Sequence, residues 1–150
     1  MPHSYVCDLT HCIFGIREQS LEIDPVIELS LWPYIVRTAH QNDFESLAVG
    51  GTFDHIHLLL SLPSNINVAK AVQLIKDSSE LWLQENVPAS GRFGWQEGYG
   101  AFSVSPSDLR STMAYILGQK EHHRRKTFRD EFTELLEKNG VVYDPRYLFR

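Results

Sequence analysis

Residues 44–63, FESLAVGGTFDHIHLLLSLP, decide the fold. Apolar and polar residues alternate along residues 44–49 and again along residues 52–62. Gly50-Gly51 stands between the two runs, and a glycine pair in that position is typical of a β-hairpin with a two-residue turn. The sequence therefore predicts two neighbouring antiparallel strands that meet at Gly50-Gly51.

The second predicted strand carries two histidines, His55 and His57, on either side of Ile56. Side chains alternate between the faces of a strand, so both imidazoles project from one face and Ile56 from the other. Two adjacent imidazoles can form part of a metal site, and imidazole suits several divalent metals. The pair also fits two histidines on a half-solvated sheet face. Asp54 faces the other way, so we do not expect it to be a ligand.

The rest of the chain predicts further strands and helices in a definite order. Pro33 would kink a helix that began at Asp24-Pro25, so we favour a shorter helix over residues 31–40. The other predicted elements are a strand over residues 5–16, a helix over 68–86 capped by Asn67, a loop over 88–94, a strand over 101–105, and helices that start at Ser105-Pro106 and at Thr127.

This order fits an α+β fold, namely a ferredoxin-like antiparallel β-sheet with helices packed on one face, plus extra C-terminal helices. One face of the sheet would then be free. A chain of 150 residues, 43% of them hydrophobic, is typical of a globular domain. We therefore expect a single domain over residues 1–150.

Composition limits the function classes. No apolar run approaches the roughly 18 residues of a membrane helix, and residues 1–4 lack a secretory signal pattern, so we expect no membrane partner and a cytoplasmic location. Cys7 and Cys12 face opposite sides of one predicted strand and carry no disulfide signal.

The net charge of -5 argues mildly against binding of nucleic acid by overall charge. Basic residues are nevertheless concentrated at Lys120, Arg124, Arg125, Lys126 and Arg129, a run that also fits a solvated helix end.

Tyr115 and Gln119 stand one turn apart on one predicted helix, whose apolar stripe is formed by Leu109, Met113, Ile116 and Leu117. At about 100° per residue, Tyr115 lies roughly 145° and Gln119 roughly 105° from the centre of that stripe. With His122 they form a polar line on the exposed side, where a tyrosine is available as a nucleophile. A surface tyrosine without such a role is the alternative. Joined with His55 and His57, Gln119 would complete a three-ligand metal site with open positions.

Four sequence blocks carry a family resemblance: GGTFDHIHLLLSLP (residues 50–63), WQEGYGAFSVS (95–105), YILGQKEHHR (115–124) and YDPRYL (143–148). In this order they resemble the single-tyrosine HUH transposases of bacterial insertion sequences and the related transposases associated with repetitive palindromic elements. The resemblance spans most of the chain. The pattern of histidine, hydrophobic residue and histidine would be weak alone, but four blocks in order are specific.

The resemblance implies that His55, His57 and Gln119 hold Mg²⁺ or Mn²⁺, and that Tyr115 cleaves single-stranded DNA and keeps the 5′-phosphate. An incoming 3′-hydroxyl would reverse the step and join strands without ATP. It also implies a homodimer that recognises DNA hairpins at transposon ends, with Tyr115 acting either in its own subunit or in the partner's site. The residues expected to contact DNA phosphates are Lys120, Arg124, Arg125 and Lys126.

Two other functions stay open at this point. One is a catalytically silent hairpin DNA-binding protein or repressor on the same fold, which the net acidity and the short chain favour. The other is a metal-dependent phosphodiesterase that uses water, with Tyr115 only a phosphate contact. His11, His122 and His123 could touch DNA or lie next to the metal ligands, although a lone histidine is usually structural or solvated.

Overall fold

The computed structural model describes residues 4–87 and 92–150. Its elements, in chain order, are β1 (Leu9–Gly15), α1 (Pro25–Gln41), β2 (Glu45–Gly51), β3 (His55–Ser61), α2 (Val68–Asn86), β4 (Gly100–Val104), α3 (Leu109–Leu117), α4 (Gln119–His122) and α5 (Phe128–Lys138). A short 3₁₀ turn, Pro106–Asp108, leads into α3. The loop predicted over residues 88–94 lies partly outside the described residues. Within the described ranges, no helix has the length and apolar character needed to cross a membrane.

The four strands form one antiparallel sheet in the order β2-β3-β1-β4. The central strands are β1 and β3, which pair from Leu9 opposite Ser61 to Gly15 opposite His55. Helix α1 connects β1 to β2, and α2 connects β3 to β4. This is the ferredoxin-like arrangement, so the predicted α+β fold class is confirmed.

Helices cover both faces of the sheet. Helices α1 and α2 pack on one face, where Phe14, Ile56 and Leu58 lie in the largest cluster of buried side chains. On the other face, Ile13 packs with α5 and Leu59 packs with α3. The face that we expected to be free is therefore covered by the C-terminal helices. Because β3 is central and covered on both sides, it contains a continuous apolar run instead of a strict alternation.

The predicted hairpin exists, but its turn does not lie at Gly50-Gly51. Both glycines belong to β2, and the backbone N–H of Thr52 donates to the carbonyl of His55 at 3.1 Å, so the chain reverses at Phe53-Asp54. The glycine at position 50 serves another purpose. A Cβ there would lie 2.1 Å from the carbonyl oxygen of Ile116, so only glycine permits α3 to approach β2 this closely.

Helix α1 is longer than predicted and starts at Pro25. Asp24 caps it, since its side chain accepts a hydrogen bond from the backbone N–H of Val26 at 2.8 Å. Pro33 lies inside the helix. A proline there removes the hydrogen bond to the carbonyl of Leu29, but Leu29 and Pro33 are on the exposed side, where water can bind that carbonyl.

Gly50→Ala is expected to lower the free energy of unfolding by about 1–3 kcal/mol, the usual cost of overpacking. The added Cβ would collide with the Ile116 carbonyl, which is backbone and cannot move aside as a side chain would. Urea denaturation measures the effect. Gly98→Ala is the matched control, because nothing lies within 4 Å of a Cβ at that position. Equal stability of the two variants would contradict the close approach of α3 to β2.

Cys12 is expected to resist alkylation in the folded protein while Cys7 reacts. Cys7 is exposed, whereas Cys12 lies in the core beneath α1 and α2. Burial raises the pKa of the Cys12 thiol to about 12, so almost no reactive thiolate forms near neutral pH. Thiol counting should therefore find one reactive cysteine in the native protein and both after denaturation. Rapid reaction of both in the native state would show that β1 is not packed as described.

Candidate functional site

The two histidines of β3 lie on the sheet face that α5 covers. His55 and His57 are fully buried, because β3 is a central strand with helices on both sides. Their Nε2 atoms point toward Glu131 of α5, at 3.3 Å from its Oε1 for His55 and 3.0 Å for His57. The structure thus brings the predicted pair together with an acidic residue that the sequence analysis did not single out.

His123, which follows α4, adds a further ligand atom to this cluster. Its Nε2 lies 2.9 Å from Glu131 Oε1. One potential ligand atom from each of His55, His57, His123 and Glu131 lies within 4.8 Å of all the others. Imidazole nitrogens and carboxylate oxygens are both common ligands of divalent metals in proteins, so this donor set fits such an ion.

Gln119 lies in the same cluster, as the first residue of α4. Its Oε1 is 3.0 Å from the Nε2 of His55 and 2.8 Å from the Nε2 of His123. Its Nε2 donates a hydrogen bond to the backbone carbonyl of Tyr115 at 3.2 Å, which fixes the orientation of the amide. The oxygen of Gln119 therefore faces the histidines and is available as a ligand.

The expectation that Tyr115 and Gln119 lie on the exposed side of their helix is wrong. Gln119 is buried and Tyr115 is half-buried. The predicted apolar stripe includes Leu117, which is 66% exposed, whereas Ile116 is the fully buried residue of α3. The helix is also interrupted at Gly118, so a single stripe cannot describe both segments. Polar side chains point inward here because the sheet face beneath them is itself polar.

Tyr115 reaches the cluster from the end of α3. Its hydroxyl donates a hydrogen bond to Glu131 Oε2, and its ring meets the His57 ring edge-on with the centroids 5.6 Å apart. Burial and the adjacent Glu131 carboxylate raise the pKa of Tyr115 above its usual value. The phenol is therefore protonated, and it donates its hydrogen bond to an ionised carboxylate.

The site holds its groups in different protonation states. Burial alone would lower the pKa of His55, but hydrogen bonds with Asp54 and Glu131 outweigh it and raise the pKa to about 9. Burial lowers the pKa of His57 to about 4, against the attraction of Glu131. Burial would raise the pKa of Glu131, but hydrogen bonds from His123 and the two strand histidines hold it well below its usual range. Near neutral pH the site thus contains a carboxylate, and His57 is the neutral form that binds metals.

Asp54 supports the site without facing its centre. Its Oδ1 accepts a hydrogen bond from His55 Nδ1 at 2.8 Å and from the Thr52 hydroxyl at 3.0 Å. The ring of Phe128 stacks on the other side of His55, with the centroids 4.6 Å apart. These contacts fix the His55 ring so that its Nε2 points into the cluster.

A cleft of about 530 Å³ opens beside Tyr115, between β4, α3 and α5. Its lining includes Phe102, Ser111, Thr112, Tyr115, Glu131 and Lys138. The volume is within the range of ligand-binding pockets. The cleft therefore gives a substrate access to the Tyr115 hydroxyl from the solvent side, whereas the fully buried His55 and His57 are not among its lining residues.

The basic residues near α4 lie outside the buried cluster. Most of them contact an acidic side chain: Lys120 Nζ is 2.6 Å from Glu28 Oε2, Arg124 is 3.3 Å from Glu121, and Lys126 pairs with Glu134. Arg125 is exposed. Their predicted contact with DNA stays a prediction.

Glu131 and His123 are the two members of the cluster whose position the sequence analysis did not foresee. For His123 the sequence indicates only a possible contact with DNA or a place next to the metal ligands. Glu131 carries a weak signal, because it follows Phe128 by three residues and precedes Leu135 by four, so a charged residue falls on the apolar stripe of α5. An acidic residue in the first turn of a helix is common for electrostatic reasons, which hides that signal.

Comparison with known proteins gives a family and a fold. The family model described as "Transposase IS200 like" matches residues 7–119. A protein from Deinococcus radiodurans assigned as a transposase superimposes with a TM-score of 0.62 at 20% identity, covering 76% of this chain and 92% of that one. A REP-associated tyrosine transposase bound to a REP hairpin gives a TM-score of 0.55 at 16% identity, covering 76% of this chain and 67% of that one. A search of curated proteins gave no significant match.

The structural matches show that the fold is shared. The family match extends over the whole sheet and includes His55, His57 and Tyr115, and it ends at Gln119. Glu131 lies beyond the matched residues. Because the match covers most of the sequence, the chain belongs to the IS200-like transposase family.

Proposed function

We propose that this transposase cleaves and rejoins single-stranded DNA through a covalent 5′-phosphotyrosine at Tyr115. The observation that carries the proposal is the position of the Tyr115 hydroxyl, which is hydrogen-bonded to Glu131 beside the buried His55 and His57. A nucleophile, an acceptor for its proton and a candidate metal site thus lie together beside an open cleft that Tyr115 and Glu131 line.

We propose His55, His57 and Gln119 as the residues that hold the divalent ion, Mg²⁺ or Mn²⁺. Glu131 and His123 are close enough to contribute. The mixed nitrogen and oxygen donors suit Mn²⁺ better than Mg²⁺, which prefers oxygen ligands. A bound ion would supply positive charge to stabilise the phosphate oxygens during attack.

The chain's own residues supply the nucleophile and take up its proton. Glu131 accepts the proton of the Tyr115 hydroxyl, and the phenolic oxygen attacks the phosphorus. The bond from phosphorus to the 3′ oxygen breaks, and that oxygen takes a proton from water and leaves as a 3′-hydroxyl, while Glu131 returns the tyrosine proton to the solvent. The 5′-phosphate stays on Tyr115, so a new 3′-hydroxyl can reverse the step and join another strand without ATP.

A DNA hairpin at a transposon end is the proposed target, since a protein of similar fold is bound to a REP hairpin. The proposed phosphate contacts are Lys120, Arg124, Arg125 and Lys126. The Arg124–Glu121 and Lys126–Glu134 pairs join exposed or partly exposed side chains and are therefore weak, so DNA phosphates can replace the acidic partners. The Lys120 pair is harder to replace, because its partner Glu28 is buried. Tyr115 reaches the histidines of its own chain, which supports action within one subunit, and the proposed homodimer would then hold two complete sites.

Tyr115→Phe is expected to abolish a denaturant-resistant protein–DNA adduct. The change removes only the hydroxyl that attacks phosphorus, so binding should persist while the covalent product is lost. The assay incubates the protein with labelled single-stranded hairpin DNA and Mn²⁺ or Mg²⁺ and separates the products on a denaturing gel. Tyr147→Phe, at an exposed position, is the matched control and should form the adduct like wild type.

Other outcomes of this assay identify the alternative functions. Cleavage that survives Tyr115→Phe would mean that water is the nucleophile, as in a metal-dependent phosphodiesterase. Binding of the hairpin by wild type without cleavage under either metal would instead indicate a hairpin-binding protein or repressor. Either result would refute the proposed strand transfer.

Glu131→Gln is expected to weaken Mn²⁺ binding by at least about tenfold, because it removes the negative charge at the centre of the cluster. Isothermal titration of the DNA-free protein with Mn²⁺ measures the change. Glu134→Gln is the control, since that carboxylate is on the same helix but pairs with Lys126 at the surface. Unchanged affinity in Glu131→Gln would show that the carboxylate moves away when the ion binds.

A further inference from the structure

His11 is a buried histidine that the proposed reaction does not use. It lies on β1, on the same sheet face as His57, and is 6% exposed. In the strand register, Ile13 is opposite His57 and His11 is opposite Leu59, so the two histidines are diagonal neighbours. Their rings stack with the centroids 5.0 Å apart, and His11 Nε2 lies 2.7 Å from His57 Nδ1.

We propose that His11 is a positioning residue for the metal site. His11 accepts a hydrogen bond from the Nδ1–H of His57 and so holds His57 in the tautomer that binds an ion through Nε2. The proposal rests on the metal site of the proposed function and does not depend on the DNA reaction. His11 itself is not one of the proposed ligands of the ion, although its ring also lines the cleft beside Tyr115.

The proton positions follow from the partners of His57. In the structure, His57 Nε2 faces the carboxylate oxygen of Glu131 at 3.0 Å, and a carboxylate can only accept, so Nε2 carries the proton and Nδ1 accepts from His11. When Nε2 binds an ion, its lone pair must be free, and the proton of a neutral His57 has to sit on Nδ1. The direction of the hydrogen bond to His11 then reverses.

A neutral imidazole suits both states, because it has one donor and one acceptor that can exchange, whereas a protonated imidazole can only donate. The 2.7 Å separation of His11 Nε2 and His57 Nδ1 lets the shared proton lie on either ring. The supporting partner of His55 is the Asp54 carboxylate, whereas that of His57 is the imidazole ring of His11.

Packing alone does not account for a histidine at this position. His11 lies edge-on to Phe102 and Tyr115, with the centroids 6.2 Å and 6.0 Å away. Leucine would also fit an environment of aromatic rings and would avoid the cost of burying a polar ring. The polar contact that distinguishes histidine from leucine here is the hydrogen bond to His57.

The test compares His11→Gln with His11→Leu in the full chain. The glutamine amide reaches about as far as the histidine Nε2 and can donate or accept, whereas leucine can do neither. Mn²⁺ binding is measured without DNA from the electron paramagnetic resonance signal of the free ion. We expect His11→Leu to weaken binding by about 10- to 100-fold, the usual cost of removing a partner of a metal ligand, and His11→Gln to stay close to wild type. Equal binding by His11→Leu and wild type would overturn the proposal.

A second measurement keeps the proposal testable if His11→Leu folds poorly, which thermal unfolding would reveal. In wild type with ¹⁵N-labelled histidine and saturating Mg²⁺, long-range ¹H–¹⁵N spectra should show the His57 proton on Nδ1. A proton that stays on Nε2 would overturn the proposal. Neither measurement involves DNA, so absence of cleavage with these results intact would refute only the proposed DNA reaction.

Discussion

The rest of this structure depends on the buried carboxylate of Glu131. A carboxylate without water is stable only where other groups donate hydrogen bonds to it. Here the donors come from β3, from the end of α3 and from the segment after α4: His55, His57, Tyr115 and His123. One residue of α5 therefore ties the three C-terminal helices to the central strand. The fold and the site therefore share this contact.

The two faces of the sheet have separate roles. The face under α1 and α2 is apolar and contains most of the buried hydrophobic residues. The face under α3 and α5 has two small apolar clusters, around Ile116 and around Phe132, with the polar site between them. Groups on a central strand and on packed helices are held more precisely than groups on loops. The apolar face provides the stability that a buried polar cluster on the opposite face requires.

Those structural features that depend on neighbouring residues could be predicted from the sequence. Runs of aromatic, β-branched and other apolar residues predicted the strands, and Asn67 predicted the start of α2, where its side chain accepts a hydrogen bond from Lys70 N–H at 2.8 Å. The histidine pair on β3 was predicted to share a face for the same reason. Features that depend on contacts between residues distant in sequence were predicted wrongly or not at all. The glycine at position 50 reflects the approach of α3, and Glu131 gains its role from histidines that lie more than seventy residues earlier.

Burial of the metal-binding groups bears on the lifetime of the covalent intermediate. His55, His57 and Gln119 have almost no exposed surface, and the cleft beside Tyr115 provides access from solvent. In the proposed reaction, a DNA strand attached to Tyr115 would fill the passage through which a competing water must come. The bound strand would then protect the phosphotyrosine bond from hydrolysis. The covalent intermediate would persist until the 3′-hydroxyl of the strand to be joined attacks it.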